Sequence, residues 1–189
     1  YKNWTTNILY VKDINKKIRE DISDTIGEVQ KGLNVMKFDV VVGNPPYQES
    51  QLNNNKGEAI YHYFYELAEQ VSDKYVLISP ARFLFNGGLT PKTWNEKMLN
   101  DEHLNVEFYT PKSEDVFPNT DIKGGVVVLY RDIDKNFGAI KIFVPDPILR
   151  SLSQKFKADI DRNLSSIILG GRSDLKFNDE FLLAYPNSI

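Results

Sequence analysis

Phe38-Asp39-Val40-Val41-Val42-Gly43-Asn44-Pro45-Pro46-Tyr47 reads as a strand brought to a stop by a rigid turn. The β-branched run Val40 to Val42 suits a pleated, buried surface. Two successive prolines supply no backbone donors, so no central strand continues through Pro45 and Pro46. The stretch predicts a buried parallel strand with a fixed turn at its carboxyl end. In an open α/β sheet that is the end at which ligands gather.

Patterns on either side extend this frame. Upstream, Ile14, Ile18, Ile22 and Ile26 recur every fourth residue and predict one helix, with Asp13 as N-cap and Gly32 as stop. Downstream, the polar stretch 48–58, with Asn53, Asn54 and Asn55 in a row, reads as a loop. Ile60, Phe64, Leu67, Ala68 and Val71 then repeat at helical spacing, and Tyr75 to Ser79 forms a second apolar strand closed by Pro80. Thr90-Pro91 opens a helix running to about Asn100. Leu104 to Tyr109, Gly125 to Tyr130 and Ala139 to Val144 bring the strand candidates to five. The succession predicts an α/β fold, a doubly wound sheet finishing in an antiparallel hairpin. Pro145-Asp146-Pro147 marks a boundary between residues 1–145 and a second region, 146–189. That second region opens with a helix marked by Ile148, Leu149, Leu152, Phe156 and Ile160. Over residues 146–176, six basic side chains stand against four acidic ones, which fits either the start of a target-recognition region or a solvated helix face.

Composition narrows the functional classes. The 189 residues are 41% hydrophobic and 26% charged, enough apolar material for a core. A formal net charge of -3 excludes nucleic-acid binding through bulk positive charge, so any such contact is local. With no Cys and two His, thiolate zinc sites and cysteine nucleophiles are excluded and a metal centre is not expected. No apolar run approaches a membrane span, and the chain reads as soluble and cytoplasmic. Beginning at Tyr1 rather than Met, it also reads as an excised piece of a longer protein.

The chemistry concentrates in Asn44-Pro45-Pro46-Tyr47. A bland reading is a proline turn whose asparagine satisfies a strand end. The alternative follows from the two proline rings, which restrict the backbone so that the Asn44 side-chain oxygen and the Pro45 carbonyl keep fixed relative positions. Two such acceptors, holding both N–H groups of an exocyclic ring amine, return electron density to its nitrogen and favour the pyramidal geometry of attack on a methyl group. Tyr47 adds an aromatic face on which the ring can stack.

This tetrapeptide resembles motif IV of the S-adenosylmethionine-dependent amino-methyltransferases, above all the adenine-N6 DNA methyltransferases. The whole of Phe38 to Tyr47 is similar to the strand and turn of the Eco57I-like restriction-modification methylases. Tyr75-Val76-Leu77-Ile78-Ser79-Pro80-Ala81-Arg82-Phe83-Leu84 resembles the next strand and loop of that family. Asp115-Val116-Phe117-Pro118-Asn119-Thr120-Asp121-Ile122, followed by Gly124 to Tyr130, resembles its motif VIII and the strand after it. The likeness covers roughly residues 36 to 132, in family order.

The resemblance implies the C-terminal half of a Rossmann-like methyltransferase sheet and a site-specific adenine-N6 methyltransferase of a restriction-modification system. Its cofactor would be S-adenosylmethionine, and its partner double-stranded DNA from which the target adenine is flipped. Asn44, Pro45, Pro46 and Tyr47 would be the catalytic residues. Phe117 would stack on the adenine from the face opposite Tyr47. A buried loop aromatic is the alternative reading of Phe117. No general base is required, because the nitrogen loses its proton after it has gained the methyl group.

The departures concern the cofactor. No Gly-x-Gly turn and no following ribose-binding acid precede Asn44. That half of the site is expected in the remaining parts of the parent polypeptide. Asp13 is the one acidic candidate for touching the cofactor, and helix capping is its stronger reading. His62, among Tyr61, Tyr63 and Tyr65, reads as a surface or packing residue. Arg82 can meet a phosphate or pair with an acid, and Lys123-Gly124-Gly125 can touch a DNA backbone or simply turn. Two other functions remain open: methylation of RNA guanine or protein glutamine amides, and a non-catalytic DNA-binding remnant.

Overall fold

Four strands form the sheet of the computed structural model, which describes residues 8–48, 57–155 and 183. They are β1 (Val41–Gly43), β2 (Lys74–Pro80), β3 (Leu104–Thr110) and β4 (Val126–Asp132), in the order β1-β2-β4-β3. β1 lies parallel to β2, while β4 runs antiparallel to both β2 and β3. The antiparallel β3–β4 pair matches the expected hairpin, with β4 turned inward to lie beside β2. Along β2 every second residue is buried, and Tyr75, Leu77 and Ser79 face the core.

Two strand expectations are corrected. Only Val41 and Val42 of the Phe38 to Val42 run pair as a strand, which Gly43 completes; Phe38 makes an isolated bridge to Ser72. The strand is not buried on both sides, since Val42 is 71% exposed and Val40 47%. β1 has β2 as its single neighbour among the described residues, and its outer face lacks cover. The fifth strand, Ala139 to Val144, does not form. Lys141 takes a left-handed backbone (φ 54°) and donates its N–H to the Leu99 carbonyl at 2.7 Å, turning the segment away from strand pairing. Phe143 is nonetheless buried, its ring 5.1 Å from that of Tyr109 and 5.5 Å from that of Phe85.

The isoleucine stripe also divides. It spans α1 (Ile14–Glu20) and α2 (Ile22–Leu33), separated by an extended Asp21 whose carboxylate accepts the Asp24 N–H at 3.0 Å and caps α2. Asp13 caps with its backbone alone: its carbonyl accepts from Lys16 and Lys17, and its side chain makes no cap bond. α2 ends at a left-handed Asn34 rather than at Gly32. Gly32 lies inside the helix, where a Cβ would come within 2.7 Å of a Leu9 methyl carbon.

α3 (Tyr61–Val71) and α4 (Lys92–Asn100) cover the Tyr75–Leu77 face of the sheet. Trp94 of α4 inserts among Tyr61, Tyr65 and Phe83, with ring centroids 5.9, 5.6 and 5.0 Å away. Each such large side chain taken from water contributes roughly 1.5 to 3 kcal/mol. Tyr65, fully buried, shares a 2.9 Å hydrogen bond with Ser79, so its hydroxyl is partnered beneath the sheet end. Pro91 takes the N-cap position of α4, one residue later than expected, and Thr90 instead donates to Asn95 Oδ1 at 2.7 Å. The opposite sheet face, which carries Val42, Val76, Ile78, Val128 and Tyr130, is at most partly covered by the described residues.

Asp132 closes β4 with a polar knot. Its carboxylate accepts the Tyr130 hydroxyl at 2.6 Å and the Asp134 N–H at 3.1 Å, and Lys74 lies 3.3 Å away. The Tyr130 hydrogen bond is the largest influence holding its pKa down, to about 2, with Asp134 and Lys74 acting the same way against burial. A carboxylate more acidic in the folded chain stabilises the fold above its unfolded pKa of about 4 and ceases to do so as pH falls toward 2. Asp132→Asn is expected to lower the urea midpoint at pH 7 and to flatten its decline between pH 4 and 2. An unchanged acid slope would rule out this role.

The chain divides into two compact units, Tyr1–Phe143 and Val144–Ile189. In the second, α5 (Pro147–Lys155) starts at a proline, and Asp146 accepts the Leu149 N–H at 2.8 Å as its cap. The expected extension to Phe156 and Ile160, the basic residues beyond Lys155 and the asparagine triplet lie outside the described residues. No helix among the described residues is long and apolar enough to cross a membrane.

Candidate active site

β1 delivers Asn44 to the carboxyl rim of the sheet, where the two prolines replace strand pairing. Asn44 is exposed, and its side chain has no hydrogen-bond partner among the described residues; Pro45 is buried beneath it. The turn is anchored from behind, because the Ile60 N–H donates to the Tyr47 carbonyl at 3.2 Å and Gln48 bridges to Ala59. Ile60 is fully buried, so the start of α3 acts as the clamp. The arrangement leaves the Asn44 amide free at the rim.

Tyr47 is half-buried. Its hydroxyl is enclosed without a hydrogen-bond partner among the described residues, and burial pushes its pKa up to about 12. Its ring meets Phe117, the two centroids being 6.3 Å apart with the planes at 67°. Two residues 70 positions apart in the chain thus meet, one of them three residues after Asn44.

The Phe117 loop has its own frame. Ser113, buried, donates to the Thr120 carbonyl at 2.5 Å and accepts the Ile122 N–H at 2.8 Å, tying both ends of the loop to one hydroxyl. The Phe117 N–H donates to the Ser113 carbonyl at 2.8 Å. Thr110 accepts from the Lys112 N–H and donates to Asp115 at 3.1 Å. Gly125 closes the loop at φ +82°; a Cβ there would lie 2.0 Å from the Thr110 carbonyl oxygen. Ser113 and Thr110 escaped the sequence reading. The spacing of hydroxyl residues around Pro111, ahead of paired glycines, was the signal available.

Two refinements follow. The rings meet edge to face rather than as parallel walls of a stacking slot. A planar base between them needs two contacts of about 3.5 Å, or roughly 7 Å between parallel planes, so one ring must turn to admit it. His62 is buried rather than a surface residue, its ring 4.0 Å from that of Tyr63 and 5.9 Å from that of Trp94. Burial lowers its pKa, against the opposing charge of Glu58, which fits a packing residue.

The described residues do not build the cofactor side. Asp13 is exposed ahead of α1, and the described residues set no glycine turn beside it. One lone carboxylate does not fit the ribose and sulfonium groups of S-adenosylmethionine, which would have to be held by residues other than those described.

The family model for the Eco57I restriction-modification methylase matches residues 1–117. The chain belongs to this family. A curated relative from Mycoplasma pneumoniae, described as an uncharacterized adenine-specific methylase, is 34% identical over 99 residues, covering 49% of this chain. The aligned stretch spans 23% of that relative's length. A solved structure concerned with complex assembly and conformational transition of the type I R-M system aligns with 71% of this chain and 32% of its own. At 17% identity and a TM-score of 0.34, that likeness carries no argument.

Proposed function

We propose that this chain is the base-binding half of an adenine-N6 DNA methyltransferase from a restriction-modification system. One observation carries the reading: Asn44 is exposed at the carboxyl rim, and Tyr47, three residues on, meets Phe117 from a distant part of the chain. Membership of the Eco57I methylase family supports it, as does a relative described as adenine-specific. Asn44 Oδ1 and the Pro45 carbonyl accept the two N–H groups of an extruded adenine, and Tyr47 with Phe117 supplies its stacking faces. Held this way, the amine nitrogen is made pyramidal and more nucleophilic. The methyl group would come from S-adenosylmethionine held by other parts of the parent protein. The proton leaves the nitrogen once it carries positive charge, so no basic side chain is assigned to remove it.

The partly covered sheet face and the open edge of β1 fit this reading. Val40 and Val42 are apolar residues left 47% and 71% exposed by the described chain. They are the surface on which the remaining parts of the parent polypeptide, including the cofactor half of a doubly wound Rossmann-like sheet, would close. In this reading residues 1–145 form the catalytic half and 146–189 begin the target-recognition region.

Base extrusion tests the pocket. With 2-aminopurine at the target position, the full-length protein is expected to raise fluorescence on binding. Phe117→Ala should lose roughly 1 to 3 kcal/mol of stacking, seen as a smaller fluorescence rise with little loss of duplex affinity. A Phe117→Ala variant that extrudes the base like the parent would remove Phe117 from the site.

A further inference from the structure

Arg82 sits just past the end of β2, at the same rim as Asn44. The two strands are parallel, with Gly43 paired to Leu77, so the turns that follow them leave from one end of the sheet. The Ala81 N–H donates to the Gly125 carbonyl at 2.9 Å, which sets Arg82 against the turn that closes the Phe117 loop.

Three glycines from two turns flank the Arg82 stem. A Cβ at Gly124 would fall 3.1 Å from Arg82 Cβ, tighter than ordinary contact, and Cβ atoms at Gly87 and Gly88 would lie 3.5 and 3.6 Å from its side chain. Gly88 and Gly124 have left-handed backbones, at φ +99° and +90°. The stem is therefore supported on both sides by backbone. Its residue is exposed, and it forms no ion pair among the described residues. The loop carboxylates Glu114, Asp115 and Asp121 leave it unpaired, and Asp115 is engaged by Thr110. Lys123, exposed and also without an ion pair among the described residues, lies next to Gly124.

We infer that Arg82 is a phosphate-binding residue, which grips the DNA backbone next to the extruded nucleotide. The inference rests on the DNA-methyltransferase reading. A flipped base leaves its two flanking phosphates at the mouth of its pocket, and Arg82 packs against the Gly124 turn that closes the Phe117 loop. The guanidinium is a fork that matches phosphate oxygens, and backbone support on its stem reduces the freedom lost on binding. A chain of net charge -3 does not attract a duplex through its overall field, so any phosphate contact it makes is local, through single, well-supported cations. Among the described residues no acid pairs with it, which favours this reading over a structural ion pair.

Arg82→Gln keeps most of the stem against the glycines and removes the charge, whereas Arg82→Lys keeps the charge. Duplex affinity of the full-length protein is measured against salt, with target and unrelated sequences. The parent should show log K falling linearly with log salt. Arg82→Gln should reduce the slope by about 0.9 and weaken both duplexes roughly five- to tenfold at 0.1 M salt, by a similar factor. Arg82→Lys should recover most of the slope, and thermal unfolding of both variants should match the parent. A glutamine variant with the parental slope would overturn the inference, as would a loss confined to the target duplex, which marks a base contact. Absence of salt-dependent duplex binding by the parent would overturn the methyltransferase reading along with it.

Discussion

Replacing Asn44 with alanine is expected to lower single-turnover methylation by the full-length protein about a hundredfold while leaving duplex affinity within a few fold of the parent. In the proposed reading, phosphate and groove contacts elsewhere would hold the DNA, so losing one acceptor at the rim would cost little in binding. The same acceptor matters most as the target nitrogen gains positive charge, and losing a preorganised group there costs roughly 3 kcal/mol of barrier. The side chain is exposed and bonds to no described residue, so the substitution should not disturb the fold. Equal folding stability with a large rate loss is the expected signature. A parental rate would remove the role assigned to the Asn-Pro-Pro-Tyr turn.

The second large effect is on stability. Gly125→Ala introduces a Cβ 2.0 Å from the Thr110 carbonyl oxygen and 2.7 Å from Pro111 Cα, both backbone atoms that cannot swing aside. It also forces alanine to φ +82°, itself worth roughly 1 to 2 kcal/mol. Together these should cost about 3 kcal/mol or more and lower the melting temperature by roughly 10 °C. Gly27→Ala is the contrasting change. It lies inside α2 with nothing within 4 Å of a new Cβ, and should stabilise by roughly 0.5 to 1 kcal/mol. If the two substitutions shift the melting temperature alike, the Phe117 loop is not held as described.

How far the fold could be read in advance depended on whether a residue's pattern was local. The alternation in β2 and the helical spacing of α3 needed only a few neighbours, and the structure places both close to expectation. The isoleucine stripe misled because its four-residue spacing continues unbroken across Asp21, where the helix stops. The local sign was present in Asp21-Ile22-Ser23-Asp24, a cap that satisfies the Asp24 N–H, but it lay within an apparently continuous repeat. Ala139 to Val144 had strand composition. Its fate was decided by the Leu99 carbonyl, far away in sequence, that captures the Lys141 N–H.

The site divides in the same way. Two prolines behind a valine run announce a rigid rim without any tertiary knowledge. That Phe117 would meet Tyr47 came from the family resemblance, since no periodicity links residues 70 positions apart. Their edge-to-face angle, the double hold of Ser113 and the glycine support of Arg82 are properties of the assembled loops. The acceptor turn was legible because covalent geometry makes it; its surroundings were not, because packing makes them.

The central claim is that the acceptor is the N6 amine of adenine in DNA. The direct measurement supplies the full-length protein with methyl-labelled S-adenosylmethionine and an adenine- and cytosine-containing duplex, with RNA and protein acceptors in parallel. The products are then digested and each labelled component identified. The account predicts label in N6-methyldeoxyadenosine, lost with Asn44→Ala. Label in RNA guanine, in a protein glutamine amide or in no acceptor at all would contradict it.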